Sequence, residues 1–250
     1  MKKILGVLLV VGLGVGIFWQ VKSRIVQKPP TQKILGAPET LSQSLDVGDY
    51  KAAIYKVTDA SNLILIPNFE EKLSAREAKE KYDCQTLVNG GFYSESNKPI
   101  GLFITNNQSL AGYQTNQTFN GVLSINDFAT PRITRQVPRD NLVHAVQAGP
   151  LLIENGSILK VVSNDEAARR LVVAVTGANE LYFVMFYDPD SNFSGPTLGE
   201  LPGVLKQVQN GTEIHFADAI NLDGGTASAM YTPGVSLSEA SPVGSFFCAK

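Results

Sequence analysis

The sequence predicts an α+β fold: a single strand-rich domain with a mixed sheet and a few short helices, preceded by an N-terminal membrane-directed segment. Three observations lead there. Short apolar runs bounded by turn residues recur through the middle of the chain. Only two segments carry a strong helix-start signal. Strands and helices do not alternate as a doubly wound parallel sheet requires, and there is no internal repeat. With 44 % hydrophobic and 18 % charged residues over 250 positions, the chain has material for a sizeable core.

The N-terminus differs from the rest. Lys2 and Lys3 precede an uncharged, mostly apolar stretch at 4–21, and Lys22 and Arg24 follow it. As a helix at about 1.5 Å per residue, this stretch spans roughly 27 Å, close to the thickness of a bilayer core. It ends in Gly16-Ile17-Phe18-Trp19-Gln20, not in the small residues a cleaved signal needs, and Trp19 suits a membrane interface. Residues 1–24 are therefore expected to be an uncleaved anchor, the alternative being a cleaved signal segment. The bulk of the chain is expected outside the cytoplasm, membrane-anchored or secreted, in the periplasm or beyond the cell. Residues 25–48, with Pro29, Pro30 and Pro38, read as an extended linker, and 49–250 as the domain.

Of 21 basic residues, four lie in the first 24, which leaves 17 against 23 acidic residues in the remainder. That balance excludes a nucleic-acid-binding surface. Cys84 and Cys248 are the only cysteines. Two readings stay open for them: a disulfide formed in an oxidising compartment, or two buried free thiols. Neither has histidines at zinc spacing.

In chain order, 51–57 and 62–66 read as strands joined by a turn at Asp59, so the domain is expected to begin as a hairpin. Ser74-Ala75-Arg76-Glu77 is a capping box that opens a short helix through Tyr82. A strand at 86–88 stops at Asn89-Gly90-Gly91-Phe92-Tyr93. Further strands are expected at 100–105, 121–125, 142–147, 151–153, 171–176 and 181–187. Thr197-Leu198-Gly199-Glu200 is a second capping box; Leu198, Leu201, Leu205 and Val208 then share one helical face, with Pro202 expected to kink or shorten the helix. A strand at 219–222 delivers Asp223 at its end.

Four elements at strand ends carry chemical potential. In Asp223-Gly224-Gly225-Thr226, glycines allow close approach, so successive backbone N–H groups and a following helix N-terminus are expected to face one anion beside a carboxylate. Asn89-Gly90-Gly91 repeats the pattern of a polar side chain followed by two glycines. Gly149-Pro150 makes a bend between strands, and Asn155-Gly156 a hairpin turn. Arg169-Arg170 precedes an apolar strand, where a guanidinium fork can take a phosphate bidentately. Taken singly, each is as readily a turn or a surface feature.

Together and in this order, N-G-G-F-Y, G-P-L-L with a glycine four residues on, an arginine before a strand, and N-L-D-G-G with a serine three residues on resemble the phosphodiester glycosidase family. The resemblance runs over roughly residues 50–247. It implies cleavage of a sugar-1-phosphodiester to free sugar and phosphate monoester, with a carbohydrate phosphodiester as partner. It implies catalytic roles for Asp223, Arg170 and Asn89. It implies substrate contacts for Gly90, Gly91, Gly149, Pro150, Arg169, Asn221, Gly224, Gly225, Thr226 and Ser228. Arg170 matches the family arginine better than Arg169, because Val173 and Ala174 follow at the family's spacing. Thr226 and Ala227 depart from the family's usual glycine and serine.

A phosphate leaving group needs less general-acid help than a sugar alkoxide, and three roles are open to Asp223: stabilising the positive charge at the anomeric carbon, attacking that carbon, or deprotonating a water. No cofactor and no obligatory metal are expected; Asp188-Pro189-Asp190-Ser191-Asn192 lacks EF-hand spacing. His144 and His215 are read as structural, and Ser228 lacks a nucleophile elbow. A non-catalytic binder of envelope glycans with the same fold is the competing reading.

Overall fold

The computed structural model describes residues 42–163, 165–191 and 193–250. The expected anchor or signal segment and the linker through residue 41 lie outside them. No helix among the described residues is long and apolar enough to cross a membrane.

Three sheets build the domain. The largest has seven strands, in the spatial order Ser42–Val47, Tyr50–Val57, Leu181–Tyr187, Arg170–Thr176, Phe216–Asn221, Leu151–Glu154 and Ser157–Ile158. A second, five-stranded sheet runs Val235–Leu237, Met230–Thr232, Thr86–Asn89, Ser245–Ala249 and Leu63–Pro67. The third runs Gln108–Ala111, Phe103–Thr105, Leu142–Ala148, Gly121–Asn126 and Pro131–Thr134.

Side-chain alternation explains the layering. In Arg170–Thr176, Leu171, Val173 and Val175 join a core that also holds Leu65, Val88, Leu123, Val146 and Phe247 from the other two sheets. Val172 and Ala174, on the opposite face, pack under the helix Leu201–Gly211, which buries Leu201, Val204, Leu205 and Val208. Both faces of the large sheet are covered, so its central strands are continuously apolar. Each such side chain contributes about 1.5–3 kcal/mol on burial. The short helix Ala75–Lys81 covers the second sheet, setting Ala75 and Ala78 against Leu87, Phe246 and Cys248.

The paired strands are antiparallel throughout, where a mixed sheet was expected. The reason lies in the connections. Parallel neighbours need a crossover of a dozen or more residues, usually helical, and here each of the two α-helices among the described residues lies between two strands that flank a third, antiparallel to both. The expected opening hairpin does not form either. Tyr50–Val57 pairs with Ser42–Val47 and Leu181–Tyr187, whereas Leu63–Pro67 pairs with Ser245–Ala249 in a different sheet. Asp59 caps the 3-10 turn Ala60–Asn62, accepting from the Ser61 N–H at 2.8 Å, and that turn redirects the chain. Ser42–Val47, within the stretch read as linker, is an edge strand.

The first helix start follows the sequence; the second does so in part, because the helix begins at Leu201 with Glu200 at its N-cap and Leu198 stays in the turn before it. Ser74 and Glu77 form the reciprocal capping box. Glu200 accepts from the Thr197 N–H and hydroxyl at 2.8 and 2.9 Å. Pro202 does not kink the helix: it sits in the first turn, where its missing N–H has no intrahelical partner to lose. Asn155-Gly156 makes the expected hairpin turn, both residues at positive φ.

Cys84 and Cys248 form a disulfide with an Sγ–Sγ distance of 2.03 Å, which decides between the two readings of these thiols. It ties the segment after the short helix to Ser245–Ala249, an inner strand of the second sheet, across 164 residues of chain. Replacing both cysteines by serine should lower unfolding stability by about 3 kcal/mol, through the freedom regained by the unfolded chain. Denaturant unfolding of wild type, with and without reductant, checks this; identical midpoints would contradict it.

Candidate active site

Asp223 is placed where two sheets meet. The strand Phe216–Asn221 lies between Arg170–Thr176 and Leu151–Glu154, with Asn221 opposite Val172. The Leu222 N–H donates to the Leu171 carbonyl at 2.8 Å, and its fully buried side chain anchors the strand end. The chain then leaves the large sheet and reaches the second one, where the Asp223 N–H meets the Gly90 carbonyl at 3.4 Å.

Asn89 holds that junction. Its Nδ2 donates to the Asp223 carbonyl at 2.8 Å and to the Gly90 carbonyl at 3.3 Å, and its Oδ1 accepts from the Ala229 N–H at 3.0 Å. The residue is 0 % exposed. The expected catalytic role does not fit this placement: a side chain with no exposed surface and both amide ends engaged by backbone positions the acid and does not contact a reacting group. The adjoining glycines are dictated by crowding. A Cβ on Gly90 would lie 2.3 Å from Ser245 Oγ, and one on Gly91 would lie 2.3 Å from Val146 Cγ2.

Gly149 and Pro150, joined by a cis peptide bond, brace the other side of the same strand. Gly149 and Asn221 bond reciprocally: the Gly149 N–H donates to the Asn221 carbonyl and Asn221 Nδ2 to the Gly149 carbonyl, both at 3.1 Å. The Asn221 N–H donates to the Pro150 carbonyl at 3.1 Å. Asn221 is 2 % exposed and supports the Asp223 turn from behind instead of meeting solvent.

The expected amide cradle does not form. Gly225–Ala227 is one 3-10 turn that runs on into the strand Met230–Thr232, so no helix starts there and no helix dipole points at an anion. The Gly224 N–H donates to the Asp223 carboxylate at 2.9 Å, and the Gly225 N–H to the Arg169 carbonyl at 2.7 Å. Thr226 is exposed, but its carbonyl accepts from the Ala240 and Ser241 N–H groups and its hydroxyl from Ser241. Ser228 is buried, donating to the Gly225 carbonyl at 2.6 Å.

The two arginines have opposite surroundings, as successive residues entering a strand do. Arg169 is 2 % exposed; its Nε donates to Ser228 Oγ at 2.7 Å, its Nη2 to the Ser228 and Ser238 carbonyls, and its guanidinium lies 4.7 Å from the Phe193 ring. Burial lowers its pKa to about 10, against Glu239 and Tyr231, which raise it. It is a structural strut and not the expected substrate contact. Arg170 lies on the Asp223 side: its charge lowers the Asp223 pKa, and its Cδ is 3.6 Å from where a Gly224 Cβ would be. Its Nε donates to the Pro196 carbonyl at 3.2 Å and its Nη2 to the Glu166 carbonyl at 2.8 Å and to the Asp165 carboxylate.

Asp165 carries no motif and was missed from sequence. Its two carboxylate oxygens also accept from the Leu198 N–H, each at 3.1 Å, so it locks Arg170 to the entrance of the long helix. The only sequence signal is an acid five residues ahead of the arginine in a polar loop.

Burial pushes the Asp223 carboxyl up to about 7, against the Gly224 N–H and Arg170, which both lower it. The residue keeps some contact with solvent while protein atoms crowd its carboxyl. Tyr93 stands nearby: burial, then the Asp223 charge, raise its phenol pKa, and its hydroxyl donates to the Pro242 carbonyl. Among the described residues, no group of three or more His, Cys, Asp or Glu side chains could hold a metal ion.

The sequence profile of the phosphodiester glycosidase family matches residues 82–248. Among solved structures, the catalytic domain of zebrafish N-acetylglucosamine-1-phosphodiester alpha-N-acetylglucosaminidase, auto-inhibited by its pro-peptide, is similar. It has a TM-score of 0.65 and 13 % identity over 86 % of this chain and 85 % of that one. A hypothetical protein from Synechocystis aligns with a TM-score of 0.52 and 14 % identity, over 83 % of this chain and 61 % of that one. At these identities the structural likeness concerns the fold. No curated protein sequence matches the chain.

A carboxyl with a raised pKa destabilises the fold once it ionises. Its stabilising contribution is full below the unfolded value near 4 and is lost as pH rises through about 7. Asp223→Asn should therefore leave stability unchanged at pH 4 and raise it by about 2 kcal/mol at pH 8, allowing for residual solvent contact. Urea unfolding of both proteins at the two pH values checks this; equal stability at pH 8 would contradict it.

Proposed function

The chain belongs to the phosphodiester glycosidase family, hydrolases that act on phosphodiester glycosides, and we propose that it cleaves a sugar-1-phosphodiester at the anomeric carbon, giving free sugar and a phosphate monoester. The observation that carries this reading is that Asp223, a carboxyl with a pKa of about 7, stands within the electrostatic reach of the Arg170 guanidinium.

In this reading Arg170 binds the phosphate oxygens, held in place by Asp165 and by the Pro196 and Glu166 carbonyls. A phosphate leaving group is already a stable anion, so a guanidinium on its oxygens replaces general-acid help. Asp223 takes a proton from the attacking water. The water oxygen bonds to the anomeric carbon, the C1–O bond breaks with its electron pair going to the phosphate oxygen, and Asp223 later releases the proton to solvent. A base poised near neutrality suits that step. The ionised carboxylate also opposes the positive charge that develops at the anomeric carbon. Asn89 and Asn221 fix the turn that carries the acid.

N-acetylglucosamine, the sugar named for the zebrafish enzyme, is the first to test. The reaction takes place outside the cytoplasm on a tethered enzyme; the apolar stretch at 4–21 and the Cys84–Cys248 disulfide support this location.

Purified protein should release reducing sugar from the methyl ester of N-acetylglucosamine 1-phosphate. Asp223→Asn should lower kcat at least about a hundredfold, and the wild-type rate should fall as pH drops below about 7, where Asp223 protonates. Turnover by Asp223→Asn at the wild-type rate would overturn the assignment.

A further inference from the structure

A groove of about 520 Å³, within the size range of small-molecule sites, is lined by Pro150 and Leu198 among others. Two of its walls are fastened to the site. Pro150, in one wall, accepts the Asn221 N–H two residues before Asp223. Leu198, in the other, donates its N–H to Asp165, the carboxylate paired with Arg170. The groove is therefore linked to the strand that carries Asp223 through Pro150, and to Arg170 through Leu198 and Asp165.

Its lining is positively charged in a domain with an acidic excess. Arg135 and Lys160 line it, and no acidic side chain does. Arg135 is held in a bidentate pair with Glu154, at 2.6 and 2.8 Å, which leaves Lys160, exposed at the rim, as the cation available to a ligand. Asn120, whose Oδ1 accepts from the Leu151 N–H at 2.8 Å, adds an amide. Val162, 83 % exposed, flanks the opening. The Asn120 amide and the Thr118 and Ser163 hydroxyls beside a cation suit a hydroxylated anion, and the apolar half of the lining suits its carbon frame.

We propose that this groove is the subsite for the group on the far side of the phosphate, and that it takes a hydroxylated, negatively charged group of the polyol phosphate class, with Lys160 as the specificity-determining cation. The proposal rests on the reading that Arg170 binds the scissile phosphodiester. In that reading Arg170 holds the phosphate, and the link from Leu198 through Asp165 to Arg170 assigns the groove to the group beyond the phosphate and not to the sugar. A substrate of this kind is a repeating unit of an anionic polymer or a phosphorylated polyol, made by a reaction that transfers a sugar 1-phosphate onto a hydroxyl.

The test compares two diesters of N-acetylglucosamine 1-phosphate, one carrying methyl and one carrying glycerol phosphate. Lys160→Glu should reduce kcat/KM for the glycerol phosphate diester relative to the methyl diester by about five- to tenfold, with the difference shrinking in salt. An unchanged ratio overturns the proposal. Calorimetric titration of the full chain with glycerol bisphosphate and with methyl phosphate, the two monoester products, makes the test independent of turnover. Tighter binding of the bisphosphate by wild type, lost in Lys160→Glu, supports the subsite; equal binding of the two ligands by wild type overturns it. Absence of turnover on both diesters would instead count against the catalytic reading, while the titration still decides the groove.

Discussion

The side chain of Asn89 fastens the end of one sheet to the exit of another, and the site is organised around that fastening. Its amide donates to the Asp223 carbonyl and accepts from the Ala229 N–H, so it grips both ends of the turn that bears the acid. A buried amide left without these partners would cost about 1–3 kcal/mol for each unmade bond. The junction is consequently specific to one register. Close approach at it demands glycine at 90 and 91, where any Cβ would strike Ser245 or Val146. The same close approach withdraws the Asp223 carboxyl from water.

Desolvation of Asp223 is the physical link between fold and chemistry. A carboxyl on an open turn would titrate near 4 and be a feeble base at neutral pH. Burial lifts it to about 7, although Arg170 and the Gly224 N–H lower it. Arg170 lowers it less than a free guanidinium at the same place would, because Asp165 neutralises part of its charge. Asp165 thus tunes the pair as well as orienting it. Fold stability and function pull in opposite directions at position 223, as they do at sites that store unfavourable burial for use in a reaction.

The strands Arg170–Thr176 and Leu181–Tyr187 were legible because burial on both faces makes them apolar at nearly every position. Ser42–Val47 was not, since it is a polar edge strand with pairing to Tyr50–Val57 on one side only. Ser245–Ala249, buried throughout as an inner strand of the second sheet, is too short a run to distinguish from a tail by pattern alone. The residues of the site were legible as a set of turn motifs, and the structure does gather Asn89, Gly90, Gly149, Pro150, Arg170, Asn221 and Asp223 around one strand end. Their division of labour was not. Whether an amide or an N–H faces a ligand depends on which backbone groups the long-range pairing leaves open. Here the Gly224 and Gly225 N–H groups and the Asn89 side chain are all satisfied internally. Arg169 and Arg170 are likewise inseparable by composition; opposite orientation sends one into the interior and the other to the acid.

The most direct test is the titration of the Asp223 carboxyl itself, followed by carbon NMR of protein labelled at aspartate carboxyls, with the signal assigned by its loss in Asp223→Asn. The account predicts a midpoint near 7 in the folded protein. A midpoint near 4, the value of an exposed aspartate, would show that the junction does not desolvate the acid and would contradict the account.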